Sequence, residues 1–600
     1  MSFRIKLMKN KGRLYAAIVE ETYNPFIKRS SGKTIRTYGD LNKRRLTEPD
    51  IDERIQADLA ELRANADLAE RLKAQTLKDQ VATCAPNNKP DCAGIYNYGI
   101  ALYRRLWERL GLDVWFKQYR RNHRLKFDFD LAAFFLAALR ILAPCSKKRT
   151  HEYRGNFVFD FSSLTQADLY ETLGLLSGSK DVLIRNVNKG IADIYERTMT
   201  VALYDCTTFY FESFDSDELR ARGMSKENRT NEVQVVMGLL IDADGIPLDY
   251  ELFRGNTSEI KTLLQVVRKH KVNSGLGKVT VVADRGLNCK LNLQHLAEEG
   301  FDYIVAQSIS RLKKDVKERV LSEENWEHSE RFHEDVFKMK RLDARADPER
   351  DADIIVTWSL KRHHHDLDVL EELWTKGKEL IAKGASAVET SMKHGSRQFL
   401  KSKKGKKGKK GEYEVNTSLY EKRKKQAGFY VIATSIKDAS PQEIFANLRR
   451  LWRVEECFRV LKSNLDVRPV FVWTPEHIRG HFLVCYLALV LERLSCRLIR
   501  MKGIRDISPH KLVELMRQQN VTVLSGRARS TPISLRLGHD GSTPERKNAD
   551  IASADAVMQI FGIAPVNMME AYPDLKNKLA CRLPFAAREA TGGIIRRSRG

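Results

Sequence analysis

The run TVALYDCTTFYFES (residues 200–213) decides the fold. Apolar and aromatic residues dominate it in a near-alternating pattern, with β-branched types between them, so it predicts a strand. One residue breaks the pattern. Asp205 stands between Tyr204 and Cys206, and a carboxylate within a buried strand is costly unless it is paired or metal-bound. Downstream, NEVQVVMGLLIDADGIPLDYELFRG (231–255) reads as two further strands about an Asp-Gly turn. A helix over Ser258–Lys271 follows, then a strand over Lys278–Ala283 that ends on Asp284. A helix at Leu291–Glu299 and a strand at Tyr303–Ala306 complete the series.

The order β-β-β-α-β-α-β, with three antiparallel strands first, is that of a ribonuclease H-like core. The predicted fold class is therefore α/β, within an α+β multidomain chain. In such a sheet the middle of the first strand and the end of the fourth lie side by side, which would bring Asp205 and Asp284 together. A third carboxylate is expected from a long helix over about Pro441–Asn464, where Glu455 is the candidate and the adjacent Glu456 its competitor. Phosphoryl transfer on DNA uses two divalent cations about 4 Å apart, one at the attacking and one at the leaving oxygen. Converging carboxylates suit Mg²⁺, a hard cation that prefers oxygen ligands, with Mn²⁺ as its substitute. A lone Asp at a strand end more often serves as a turn or helix cap. Three carboxylates at topologically matched places favour the site.

Four stretches then carry a family resemblance: YDCTTFYFE (204–212), RGNTSE (254–259), VVADRGLN (281–288) and LWRVEECFRVLKSNLDVRPVF (451–471). They resemble the DDE transposases of bacterial insertion sequences, in the superfamily marked by a Tyr-Arg-Glu-Lys signature. The likeness is to its long-chain subgroup, which has a β-rich insertion before the Glu, and it covers about 198–307 and 428–500. It implies a DNA transposase that cleaves at element ends and joins them to target DNA, by a cut-and-paste route. Asp205, Asp284 and Glu455 would be its catalytic residues and metal ligands. Glu455 follows Trp-Arg-Val as the family pattern requires, and the signature Lys then falls on Lys462. The Tyr and Arg positions fall on Leu448 and Leu451, so the signature is incomplete. Lys462 and Arg459 lie on about the same helical face as Glu455. Together with Arg285, which follows the second Asp as in the family's Asp-Arg pair, and with Arg450 and Arg453 beside the missing Arg, they are the candidate DNA-binding residues. Synapsis of two terminal inverted repeats implies a homodimer on DNA, in a bacterial cytoplasm at the nucleoid.

Outward from this core, residues 1–49 read as a small β unit, with short strands at 3–19 and 33–38. Residues 50–195 read as a helical region for DNA binding or dimerisation, with helices at about 50–78, Tyr96–Arg109, Leu131–Leu142 and Gln166–Leu176. The break between the first two is the Pro- and Asn-bearing stretch Cys84–Pro90. The core occupies 196–307 and 439–503. Between its halves, 308–438 is an insertion with strand-like pieces, a helix near Leu367–Ala382, three Trp (Trp326, Trp358, Trp374) and the lysine tract KSKKGKKGKKG at 401–411. That tract has no apolar residue to bury and reads as a loop. The Trp residues read as packed core and His363–His365 as a solvated helix start. The C-terminal region, 504–600, ends in the unpatterned basic segment Arg588–Gly600.

Composition agrees. Lys+Arg number 103 against 78 Asp+Glu, a formal charge of +25, and an excess of this size points to a polyanionic partner, double-stranded DNA before a membrane. The apolar run FLVCYLALVLERL (482–494) is too short for a span of about 20 residues and reads as a buried helix. The nine Cys are scattered without a CxxC pair, which argues for reduced thiols and against a zinc site. Two other readings share the same core: a catalytically silent DNA-binding protein derived from a transposase, and a ribonuclease H-type nuclease.

Overall fold

The computed structural model describes residues 2–10, 13–24, 29–64, 91–195, 197, 200–223, 232–274, 279–332, 335–343, 352–391, 395–402, 413–468, 470–525, 532–538 and 544–580. Most of the lysine tract (403–411), the later part of the first charged helix, the Cys84–Pro90 break and the basic end 588–600 lie outside the described residues. The architecture is mixed α/β. Strands β1 (Ser2–Asn10), β2 (Arg13–Asn24) and β3 (Arg29–Asp40) form an antiparallel sheet. After a short helix at Leu41–Thr47, Ile51, Ile55 and Leu59 of the next helix pack on Ala16 and Ile18 of β2. The run read as one short strand over 3–19 is two strands, paired Ser2 to Glu21 through Asn10 to Arg13.

A second departure concerns Tyr96. It lies in strand β4 (Asp91–Asn97), and the helix begins only at Ile100. β4 joins β16 (Asn520–Ser525), which pairs onward with β17 (Ile533–Arg536) and β18 (Met569–Ala571). The Asn97 side chain seals this long-range junction by donating to the backbone carbonyls of Met516 (2.9 Å) and Gln519 (3.1 Å). Local periodicity carries no trace of a partner more than 400 residues away.

The large sheet holds β5 (Val201–Tyr210), β6 (Gln234–Asp242), β7 (Pro247–Arg254), β8 (Thr280–Ala283) and β9 (Asp302–Gln307). β5, β6 and β7 are antiparallel neighbours, while β8 runs parallel between β5 and β9. The β6–β7 turn forms as the Asp-Gly pair predicts: Gly245 takes φ 87°, and Asp242 Oδ1 accepts from the backbone N–H groups of Asp244 and Ile246. Arg197 closes the same turn with a buried 2.6 Å contact to Asp242.

Beyond β9 the sheet does not stop. β10 (His328–Phe332), β11 (Asp335–Leu342), β12 (Asp353–Ser359) and β15 (Phe429–Thr434) continue it, giving the order β10-β11-β12-β15-β9-β8-β5-β6-β7. Between β12 and β15 lie the helix Leu360–Ala382 and the short pair β13 (Leu400–Ser402) and β14 (Tyr413–Val415). The insertion interrupts the core in sequence but prolongs its sheet in space. β9 would otherwise present a row of unpaired backbone groups at an edge, and β15 satisfies them.

Helices cover both faces. Leu263–Ser274 and Lys290–Glu298 bury Leu263, Val266, Leu293 and Leu296 on one side. On the other, the helix Pro475–Met501 is buried without interruption from Gly480 to Cys496, which explains its all-round apolar sequence. Among the described residues no single helix is long and apolar enough to cross a membrane. Gly480 is where the helix Gln166–Ser177 comes closest: a Cβ there would sit 1.9 Å from the Leu173 carbonyl oxygen. Gly480→Ala is accordingly expected to force the two helices apart and destabilise the fold by about 1–3 kcal/mol. Thermal denaturation of the variant beside the unmodified chain measures it, and an unchanged midpoint would contradict the packing.

Candidate active site

Parallel pairing of β5 with β8 sets Tyr204 beside Ala283. The next residue on each chain is therefore the carboxylate, Asp205 on one strand and Asp284 at the end of the other. Strand alternation separates their neighbours: Tyr204 and Cys206 point into the core under Leu263–Ser274, while Leu203 and Phe209 face the side of the Pro475–Met501 helix. Asp205 shares that second face by register. It is partly buried, and its Oδ1 accepts from the Cys206 N–H at 2.7 Å. Tyr204 is fixed behind it by a 2.8 Å hydrogen bond to Thr262 and lies across Gly238, where any Cβ would meet its hydroxyl at 2.3 Å.

The helix expected over Pro441–Asn464 is segmented. It runs Pro441–Arg449, resumes at Trp452–Arg459 and ends in a wider π turn at Val460–Asn464. Its start carries a Ser440/Glu443 capping box and Pro441 in the first turn. At the break the backbone bonds Leu451 N–H to Leu448 O and Val454 N–H to Leu451 O tighten the turn. Three-residue spacing keeps side chains on one face, so the sequence period does not reveal the break.

Asp205, Asp284 and Glu455 line one cavity of about 400 Å³. Asp284 and Glu455 are exposed within it. Arg362, Arg449 and Tyr430 share the lining, as do Leu448 and Leu451, the two residues at the incomplete signature positions. Burial raises the Tyr430 hydroxyl above its ordinary value, and the charge of Asp284 adds to the rise, while Arg362 and Arg285 oppose it. A second cavity of about 460 Å³ adjoins the first, sharing Asp284, Arg362 and Tyr430 and adding Arg285 and Arg423. Among the described residues no trio of His, Cys, Asp or Glu stands close enough to hold a metal ion as placed. The donors themselves are carboxylate oxygens, the set a hard divalent cation takes.

Glu455 and Glu456 part company. Glu456 turns into the core and pairs with Arg493 at 2.9 Å, the two side chains 13% and 4% exposed. Only Glu455 reaches the cavity. Of the five cations expected at DNA, Arg285 shares the second cavity with Asp284. Arg459 is exposed, and Lys462 lies 5.8 Å from the Phe209 ring. Arg450 ends the first helical segment, and Arg453 bends back to the Ala243 carbonyl, 3.8 Å from Asp244. Arg362 and Arg449 are cavity residues that the sequence reading missed. Arg449 sat in view, at the end of the segment before the break; Arg362 lies in the insertion, where no spacing connects it to the carboxylates. His363 bonds the Ala427 carbonyl at 3.0 Å, and Trp374 packs on Phe399 and Tyr420. Trp326 and Trp358 flank Lys338.

Residues 196–491 match the family model described as the transposase DDE domain. No curated protein matches the chain in sequence. Among solved structures, the cryo-EM structure of the piggyBac transposase synaptic complex with hairpin DNA is similar over 85% of this chain and 90% of that one, at 10% identity and a TM-score of 0.35. That likeness is too distant to bear on the site.

The two glutamates are expected to separate by experiment. Glu456→Ala leaves Arg493 buried without its partner and should lose about 3 kcal/mol of stability. Glu455→Ala, exposed in the cavity, should stay within about 0.5 kcal/mol of the unmodified chain. Denaturant unfolding of both variants checks this, and equal losses would contradict the assignment.

Proposed function

With residues 196–491 similar to the transposase DDE domain, we propose that the chain is a DNA transposase whose cleavage and joining share one site, Asp205, Asp284 and Glu455. The observation that carries the reading is their meeting in a single cavity from two neighbouring strands and a later helix. Under this reading the sheet β7-β6-β5-β8-β9 is a ribonuclease H-like core, and the three carboxylates would hold two Mg²⁺ ions, or Mn²⁺ in their place. Bound there, the ions supply activation of the attacking oxygen and charge neutralisation at the leaving oxygen. The protein's own part is positioning: in-line displacement at phosphorus requires no covalent nucleophile. Water attacks first and frees a 3′-hydroxyl; that hydroxyl then attacks target DNA.

Lys462, Arg459, Arg450 and Arg285 would hold phosphates of double-stranded DNA, at the terminal inverted repeats and the target. Arg453 is better assigned to holding the β6–β7 turn. A cut-and-paste route, a homodimer on paired ends, an insertion-sequence origin in the Tyr-Arg-Glu-Lys superfamily and a bacterial nucleoid setting complete the proposal.

Asp205→Asn, Asp284→Asn and Glu455→Gln should each lower Mg²⁺-dependent cleavage of plasmid DNA by about a thousandfold or more, since each removes part of a charge stabilisation of several kcal/mol. Duplex binding should be nearly retained. An unmodified chain that binds DNA but cleaves none with Mg²⁺ or Mn²⁺ would favour the silent reading, and cleavage without joining of a precleaved 3′ end would favour the nuclease.

A further inference from the structure

We propose that Arg362, from the helix that follows β12, is a positioning residue that grips a phosphodiester of the DNA strand where it enters the carboxylate cavity. The inference rests on the transposase reading above and deepens it. Arg362 lines both cavities and, with Asp284 and Tyr430, forms the threshold between them. A strand passing from one to the other must cross it.

The side chain is held without being covered. Its guanidinium carbon lies 4.6 Å from the centre of the Tyr430 ring, and its Nε stands 3.6 Å from the Asp366 carboxylate one helical turn on. Asp366 is itself anchored by the Gly428 N–H at 3.0 Å. The backbone beneath is fixed too, because Ser359 caps the helix by accepting from the Arg362 N–H at 3.2 Å. Despite these contacts the side chain is 46% exposed. A stacked, planar guanidinium that keeps donors toward a cavity is pre-organised for the paired oxygens of a phosphate. The loose contact to a partly exposed Asp366 is weak and exchangeable.

The cavity also needs such a group. Three carboxylates repel the diester they are to act on, and the signature positions 448 and 451, both in the wall, carry leucine. Among the described residues, the one cation that this wall adds is Arg449. Arg362 supplies a second, out of the insertion, and it alone of the two also lines the adjoining cavity.

The test uses the full chain with Mg²⁺. The cleavage position is first mapped on a plasmid carrying the coding sequence with its flanking DNA. Duplexes spanning that position are then made with one phosphate at a time replaced by a neutral methylphosphonate. Single-turnover cleavage by the unmodified chain should fall on the order of 10- to 100-fold at one or two such positions, and Arg362→Gln should fall by a similar factor on the unmodified duplex. Combined, variant and methylphosphonate at that position should give no further loss. Arg362→Lys, which keeps the charge and loses the planar fork, should recover part of the rate. In metal-free binding, Arg362→Gln should reduce the slope of log affinity against log salt by about one. Full cleavage by Arg362→Gln, or losses that multiply with every methylphosphonate, would overturn the role of Arg362 while leaving the transposase reading intact. Absence of cleavage by the unmodified chain would overturn both.

Discussion

The parallel register of β5 against β8 is the constraint on which the site depends. It places Tyr204 beside Ala283 and so brings two carboxylates from residues far apart in sequence into the lining of one cavity. A slip of one residue would turn Asp205 to the opposite face, into the core that Tyr204 and Cys206 fill. Several features hold that register. Tyr204 is locked by Thr262 and by the absence of a side chain at Gly238. The β6–β7 turn is fixed by Asp242 and Arg197.

Around this register the remainder of the chain acts as support. The Pro475–Met501 helix is a buried spine, and Arg493 on it draws Glu456 inward, so that the adjacent Glu455 is left facing the carboxylates. The insertion plays a part that its position in sequence conceals. By adding β15 beside β9 it brings Tyr430 to the cavity, and through the helix after β12 it brings Arg362. The sheet extension and the cavity wall are thus one construction.

Much of this was legible in residues alone. Alternation around Asp205, the apolar run ending on Asp284 and the Asp-Gly turn are short-range signals, and the strands formed where they pointed. The distance to Lys462 made Glu455 the candidate over Glu456, while the ion pair that holds Glu456 to Arg493 is tertiary and has no local signal. Other features carried no local signal. The β4–β16 pairing joins distant segments, the break after Arg449 preserves the helical face, and Arg362 belongs to a helix whose only link to the site is the sheet beneath it. Arg453 shows the converse: a cation beside the right motif that folds back onto a turn.

The central claim is that Asp205, Asp284 and Glu455 together hold a pair of divalent cations. Electron paramagnetic resonance of the full chain titrated with Mn²⁺ in the presence of duplex DNA tests it most directly. The account expects two magnetically coupled Mn²⁺ ions per chain, lost in Asp284→Asn. A chain that binds no Mn²⁺, or whose Mn²⁺ signal is unchanged when all three carboxylates are replaced, would contradict it.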